Sequence, residues 1–144
     1  MANSAEMERN KKVAVDFLET VFIRHEIDEG IARCLGVTYK QHNAEAPDGK
    51  EGLRAHFKAV FKRLPTATVV IKRVFADGDF VLVHINWKDR PTDRGSAVVD
   101  IYRLENGRLV EHWDVVQPIP ATLPHDNTML QGPQKEQKPP GGGF

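Results

Sequence analysis

Apolar residues in the first part of the chain recur at helical spacing. Ala14, Phe17, Leu18, Val21 and Phe22 fall at i, i+3, i+4, i+7 and i+8, one stripe of a helix predicted over residues 6–25. "DEGIARCLG" predicts a second, short helix. Asp28 is placed to cap it, Ile31, Cys34 and Leu35 form its inner face, and Gly36 ends it. "VTYKQHN" is a short extended segment. "APDGKEGLRAHFKAVFKRLP" then carries a stripe of Leu53, Phe57, Val60, Phe61 and Leu64, with Asp48 and Glu51 at capping-box spacing and Pro65 as the stop.

From residue 66 the period shortens to two. "TATVVIKRVFA" is rich in β-branched residues and runs into Asp77-Gly78, a two-residue hairpin signal. "DFVLVHINWKD" follows, then a polar loop with Pro91 and Gly95. "SAVVDIYRL" and "RLVEHWDVVQ" are joined by "ENG", and Pro118 and Pro120 end the sheet. Residues 125–144 lack apolar periodicity and are rich in Pro, Gly and Gln, which predicts a mobile tail after a single domain over 1–124. Helices first and strands after is the α+β layout: a curved antiparallel sheet whose concave face is covered by the N-terminal helices.

The alternation of the strands sorts the polar residues by face. A two-residue turn at "ENG" pairs Ile101 with His112; a three-residue turn with Gly107 as a left-handed bulge pairs Asp100 with His112. Glu-Asn-Gly favours the three-residue form. Asp100, His112 and Asp114 then share a face with Val98, Tyr102 and Val110, while Glu111 and Trp113 point away. On the preceding strand Phe80, Leu82, His84 and Asn86 alternate with Val81, Val83, Ile85 and Trp87. The nearness of His84 to the Asp100 strand places it in the same pocket. Both sheet faces are partly apolar. One belongs under the helices; the other calls for a second subunit, with Trp87 and Trp113 as interface anchors.

Composition narrows the classes of function. Lys plus Arg number 20 and Asp plus Glu number 20, with no long basic run, which argues against nucleic acid or an anionic membrane as partner. No apolar run approaches the ~20 residues that span a bilayer. "MANSAEMERNKK" lacks the apolar stretch of a secretory signal, so the expectation is a soluble cytoplasmic protein. Cys34 is the single cysteine, which rules out an intrachain disulfide, and its helix position predicts core packing. "PPGGGF" lacks the strand and lysine of a phosphate loop.

"Y-x-Q-H-N", "E-H-W-D" and the order of elements over residues 6–123 resemble the SnoaL-like polyketide cyclase branch of the nuclear transport factor 2-like superfamily. The resemblance implies a cone-shaped α+β barrel, dimeric through the outer sheet face, with a deep pocket between sheet and helices. It implies a small-molecule substrate and no cofactor. Asp114 matches the position of the catalytic carboxylate in polyketide cyclases and limonene epoxide hydrolases. Asp100 sits near the strand position of the oxyanion-hole aspartate of ketosteroid isomerases. Where those isomerases carry their base, this chain has Tyr39, Gln41 and His42. His84 and Asn86 replace the Arg and Asp of the epoxide hydrolases.

The chemistry that suits these residues is proton transfer beside a carbonyl. A carboxylate in an apolar pocket loses hydration, so its pKa rises toward neutrality, and a neighbouring imidazole donates to or accepts from a substrate oxygen. Asp114 is therefore expected as general acid/base, with His112 and Asp100 tuning it or holding an enolate. His84, Tyr39, His42, Gln41 and Asn86 are expected to orient the substrate. The reaction class is aldol cyclisation or isomerisation; hydration, dehydration or epoxide opening with Asp114 activating water is the alternative. A non-catalytic binding or assembly module, in which an Asp–His pair satisfies buried polar groups, is the alternative from another class. "YKQHN" either lines the pocket mouth or anchors the loop into the next helix. No metal is expected, since His42, His84 and His112 show no ligand spacing. His25, His56 and His125 are given no role.

Overall fold

The computed structural model describes residues 2–133. Helix α1 spans Ser4–Leu18, capped by the Asn3 side chain, which accepts from Glu6 N at 3.0 Å. It runs directly into a π-helical turn, Glu19–Ile23. Helix α2 spans Ile27–Cys34, strand β1 Leu35–Gln41 and helix α3 Gly49–Arg63. Strands β2 (Thr68–Asp77), β3 (Phe80–Lys88), β4 (Ser96–Glu105) and β5 (Arg108–Pro118) follow. The predicted helical stripes are the buried ones: Ala14, Phe17, Leu18, Val21 and Phe22 on the first helix, and Leu53, Val60 and Phe61 on α3. These residues and the concave-face positions Val81, Val83, Ile85, Val98 and Tyr102 form one core cluster.

The five strands make one sheet in the order β1-β5-β4-β3-β2. The expected antiparallel sheet is in fact mixed, because β1 lies parallel to β5 on the sheet edge. A strand followed by a helix and a long return is the connection that a parallel pair requires. Two of the expected caps are not made. Asp28 lies inside α2 and bonds Arg54 instead. Asp48 does precede α3, but its Oδ1 accepts from Gln41 N at 2.8 Å, tying the helix start to the end of β1.

The β4–β5 turn differs from the favoured expectation. Glu105 pairs with Arg108, so the connection is the two residues Asn106 and Gly107, both at positive φ (51° and 74°). That is the left-handed pair a twisted two-residue hairpin needs. The register then shifts by one: Leu104 pairs with Leu109, but Arg103 pairs with Glu111, leaving Val110 as a bulge. His112 therefore stands opposite Tyr102, and Asp100 opposite Asp114. The bulge restores the parity that a plain two-residue turn would have reversed, and Asp100 keeps the face of His112.

The β3–β4 register corrects a second expectation. Val83 pairs with Asp100, Val81 with Tyr102 and Trp87 with Ser96. The odd-numbered residues of β3 thus share the concave face, Trp87 among them, and His84 and Asn86 point to the outer face. Of the predicted tail, residues 125–133 contain no helix or strand, although Leu130 is buried. Residues 134–144, including Phe144, lie outside the described residues.

Candidate active site

A cavity of about 500 Å3 lies between the helices and the concave face of the sheet. Its walls are largely apolar, from Phe17 of α1, Phe22 of the π-helical turn, Phe57 and Val60 of α3, and Ile85 and Trp87 of β3. The aromatic rings meet edge to face, Phe22 on Phe57 at 4.8 Å and 82°. The polar groups are supplied by three neighbouring strands and the residues just after β1: Tyr39, Gln41 and Asn43, Asp100 and Tyr102, His112 and Asp114. The volume and the mixture of apolar wall with a few convergent polar groups fit a small-molecule site.

Asp100 and His112 are both buried and bonded to each other, His112 Nε2 to Asp100 Oδ1 at 2.8 Å. His112 Nδ1 lies 2.7 Å from Gln41 Oε1. Asp114 Oδ2 stands 4.0 Å from His112 Nε2, and the Asp114 side chain keeps only 14% exposure. Both Asp114 oxygens accept from Asn43 Nδ2, at 3.0 and 2.7 Å. Asn43 Oδ1 in turn accepts from the backbone N–H groups of Glu45 and Ala46 at 2.8 and 3.0 Å, an Asx turn that fixes which way the amide faces. Burial pushes the Asp100 carboxyl above its ordinary value of 3.8; the His112 hydrogen bond and charge oppose that rise and the Asp114 charge adds to it. Burial, then the Asp100 charge, holds the Tyr102 phenol well above its usual range, and Tyr39 behaves likewise with Asp114 adding to the effect. Both hydroxyls are therefore neutral around neutral pH. Tyr39 stacks over the His112 ring at 6.4 Å and Tyr102 lies 4.9 Å from it.

The structure thus brings together Asp114, His112, Asp100, Tyr39 and Gln41. It does not bring His84, Asn86 or the His42 ring to them. His84 faces outward, its Nδ1 3.0 Å from Arg73 Nη1, and burial followed by the Arg73 charge lowers its pKa. Asn86 donates to the carbonyls of Trp87, Arg94 and Ser96 and so holds the β3–β4 loop. His42 borders the cavity, but its ring stacks on Trp113 at 4.8 Å and bonds Glu111 Oε2 at 2.7 Å, both on the outer side of β5. The physical reason is alternation: His42 follows Gln41 by one residue, and Gln41 is the one paired with His112.

Asn43 has an expected place only as part of "YKQHN", and the cavity-lining His56 has none. Asn43 stands within "YKQHN", two residues beyond Gln41, so strand parity was the available signal. Among the described residues, Asp100, His112 and Asp114 are also the set that could hold a metal ion, their ligand atoms lying within 4.8 Å of one another. Cys34 is buried, with Sγ 3.4 Å from Asp16 Oδ2, and burial pushes its thiol up to about 12, which fits core packing rather than nucleophilic chemistry.

No helix of the described residues is long and apolar enough to cross a membrane. Among curated proteins none matches the chain. Solved structures do match in fold. TsrD from Streptomyces laurentii aligns with a TM-score of 0.61 at 19% identity, over 81% of this chain and 91% of that one. A proposed polyketide cyclase from Bacillus cereus aligns with a TM-score of 0.64 at 20% identity, over 75% and 74% of the two chains. A proposed isomerase of the SnoaL-like family from Agrobacterium tumefaciens aligns with a TM-score of 0.65 at 14% identity, over 77% and 99%. At these identities the likeness is one of fold. The family model for the SnoaL-like domain matches residues 14–112, a span that contains the end of α1, α2, β1, α3, Asp100 and His112 and stops two residues before Asp114. With the mixed α+β sheet and the buried polar cluster beneath its helices, this chain belongs to the SnoaL-like domain family and has the nuclear transport factor 2-like fold.

Proposed function

We propose that this protein is a cofactor-independent acid–base enzyme that forms an enolate from a small or polycyclic carbonyl compound and carries it into an aldol cyclisation or an isomerisation. The observation that carries this reading is Asp114. It is a nearly buried carboxylate with both oxygens held by Asn43, on the edge of an apolar-walled cavity and 4.0 Å from a bonded His–Asp pair. Asp114 takes a proton from the carbon beside the carbonyl. The C–H electron pair moves into the new C=C bond and the carbonyl oxygen gains the negative charge. The proton held between His112 and Asp100 is the donor available to that oxygen, and the buried surroundings strengthen the interaction. The enolate then attacks a second carbonyl carbon, or regains a proton at another position. Tyr39 and Gln41 border the substrate at the polar end.

The outer sheet face exposes Phe80 (43%) and Val115 (66%) beside Trp113. In this reading a second copy covers it, giving a homodimer with the two cavities facing away from the interface. Cytoplasmic residence goes with the same reading.

Proton exchange tests the chemistry before the physiological substrate is known, because it needs only the base and the oxyanion donor. The protein is incubated in D2O with a panel of small and polycyclic 1,3-dicarbonyl compounds, and deuterium at the activated carbon is followed by NMR. The expected result is catalysed exchange with at least one member, reduced by at least about 100-fold in Asp114→Asn with the fold retained. Exchange unchanged in that variant would overturn the assignment of the base.

A further inference from the structure

The hydrogen-bond directions around His112 fix where its protons are, and the residue that decides this is Gln41. Gln41 Oε1 accepts the Asn43 backbone N–H at 3.0 Å, which sets the amide with its oxygen, not its nitrogen, toward His112 Nδ1 at 2.7 Å. A carbonyl oxygen only accepts, so Nδ1 carries a hydrogen. On the other side of the ring, Nε2 meets Asp100 Oδ1 at 2.8 Å. Two lone pairs do not approach so closely, so one further proton lies between them. Both oxygens of the neighbouring Asp114 accept from Asn43 Nδ2.

We propose that Gln41 is a positioning residue: it locks the His112 ring proton on Nδ1 and so keeps a second, shared proton in the bridge between Nε2 and Asp100. The two protons make the His112–Asp100 pair neutral whichever partner holds the shared one. Asp114, the base of the proposed reaction, then stands beside a loaded donor. The division into one base and one acid is thus imposed by an amide that touches neither reacting proton. Without the Gln41 carbonyl, Nδ1 is free to lose its hydrogen. The ring then keeps only the Nε2–H, Asp100 becomes an anion, and Asp114 faces a second negative charge across the same cavity. The groups facing the ring from its packed neighbours are Tyr39 of β1, Asp100 and Tyr102 of β4, and Asp114 of β5, with His56 lining the same cavity. Both phenols are neutral, so neither replaces the missing acceptor as a charge.

This proposal deepens the acid–base reading and depends on it only for the effect on turnover. The test therefore has a readout that needs no substrate. Nitrogen-15 NMR of the imidazole side chains, with His112 assigned through His112→Gln, reports which ring nitrogens carry hydrogen. The expected result is a protonated Nδ1 in the wild-type protein across neutral pH. Gln41→Glu, which keeps an accepting oxygen, retains it; Gln41→Ala loses Nδ1 protonation as pH rises. An unprotonated Nδ1 in the wild type at neutral pH, or a Gln41→Ala spectrum identical to wild type, would refute the proposal even if exchange catalysis were found. Should Gln41→Ala not fold, the wild-type and Gln41→Glu spectra still decide. Where exchange is detected, its rate falls at least about tenfold in Gln41→Ala, mainly in kcat, its pH profile shifts, and Gln41→Glu restores it in part.

Discussion

At the scale of single residues, the site separates two carboxylates by their surroundings. Asp114 is held by hydrogen bonds from one amide to both of its oxygens, whereas Asp100 is buried and shares a proton with an imidazole. The environments differ because Asp100 sits mid-strand under the helices and Asp114 borders the open part of the cavity. A carboxyl whose folded-state pKa is raised binds more protons folded than unfolded. Its contribution to stability is full below the unfolded value of 3.8 and is lost as pH rises through the folded value. Asp100→Asn removes that titration and keeps an oxygen for His112. The expected outcome is that the wild type loses stability relative to Asp100→Asn as pH rises above 3.8, measured as urea midpoints over a pH series. Parallel curves for the two proteins would show that Asp100 is not the group responsible.

At the scale of elements, the outcome depends on how strands are joined. The β3–β4 connection is held by Asn86, whose buried amide nitrogen donates to three carbonyls at 3.1 to 3.3 Å. It is also held by Gly95 at φ +71°, where a Cβ would stand 1.9 Å from the Trp87 carbonyl oxygen. These contacts hold the connection in the register that turns Trp87 inward and His84 outward. Asn86→Ala leaves the Trp87, Arg94 and Ser96 carbonyls without that donor and is expected to cost about 1–3 kcal/mol in chemical denaturation. Gly95→Ala, blocked both by its φ and by the Trp87 backbone, is expected to destabilise at least as much. A neutral effect of both would mean that the loop does not fix the register. At the β4–β5 turn the bulge at Val110 does the equivalent work, keeping Asp100 and His112 on one face after a turn that would otherwise have split them.

At the scale of the whole molecule, the two faces of the sheet have different tasks. The concave face is closed by the helices around the cavity. The outer face carries Phe75, Phe80 and Val115 exposed, with Trp113 stacked on His42 and tilted against Phe80. If a second copy covers it, Trp113→Lys should weaken association by about 2 kcal/mol or more, roughly 30-fold in the dimer dissociation constant. Light scattering across a concentration series checks this, with circular dichroism to show that the fold survives. A wild-type protein that stays monomeric at every concentration would end the proposal.

The order of helices and strands, their apolar stripes and the strand limits to within a few residues were all legible in the sequence, because periodicity and Gly, Pro and Asn punctuation act locally. Local alternation also grouped His112 with Asp114, and the fixed two-residue spacing made that grouping independent of any turn. What the sequence left open or misplaced was everything that depends on how two separate segments align. The Val110 bulge, the inward turn of Trp87, the outward turn of His84 and Asn86, and the parallel docking of β1 each follow from pairing between strands distant along the chain. Asn43 meets Asp114, and Gln41 meets His112, only because β1 lies beside β5. A one-residue slip in any of those pairings sends a side chain to the other face at little local cost, so packing of the assembled core, not the local pattern, chose the register.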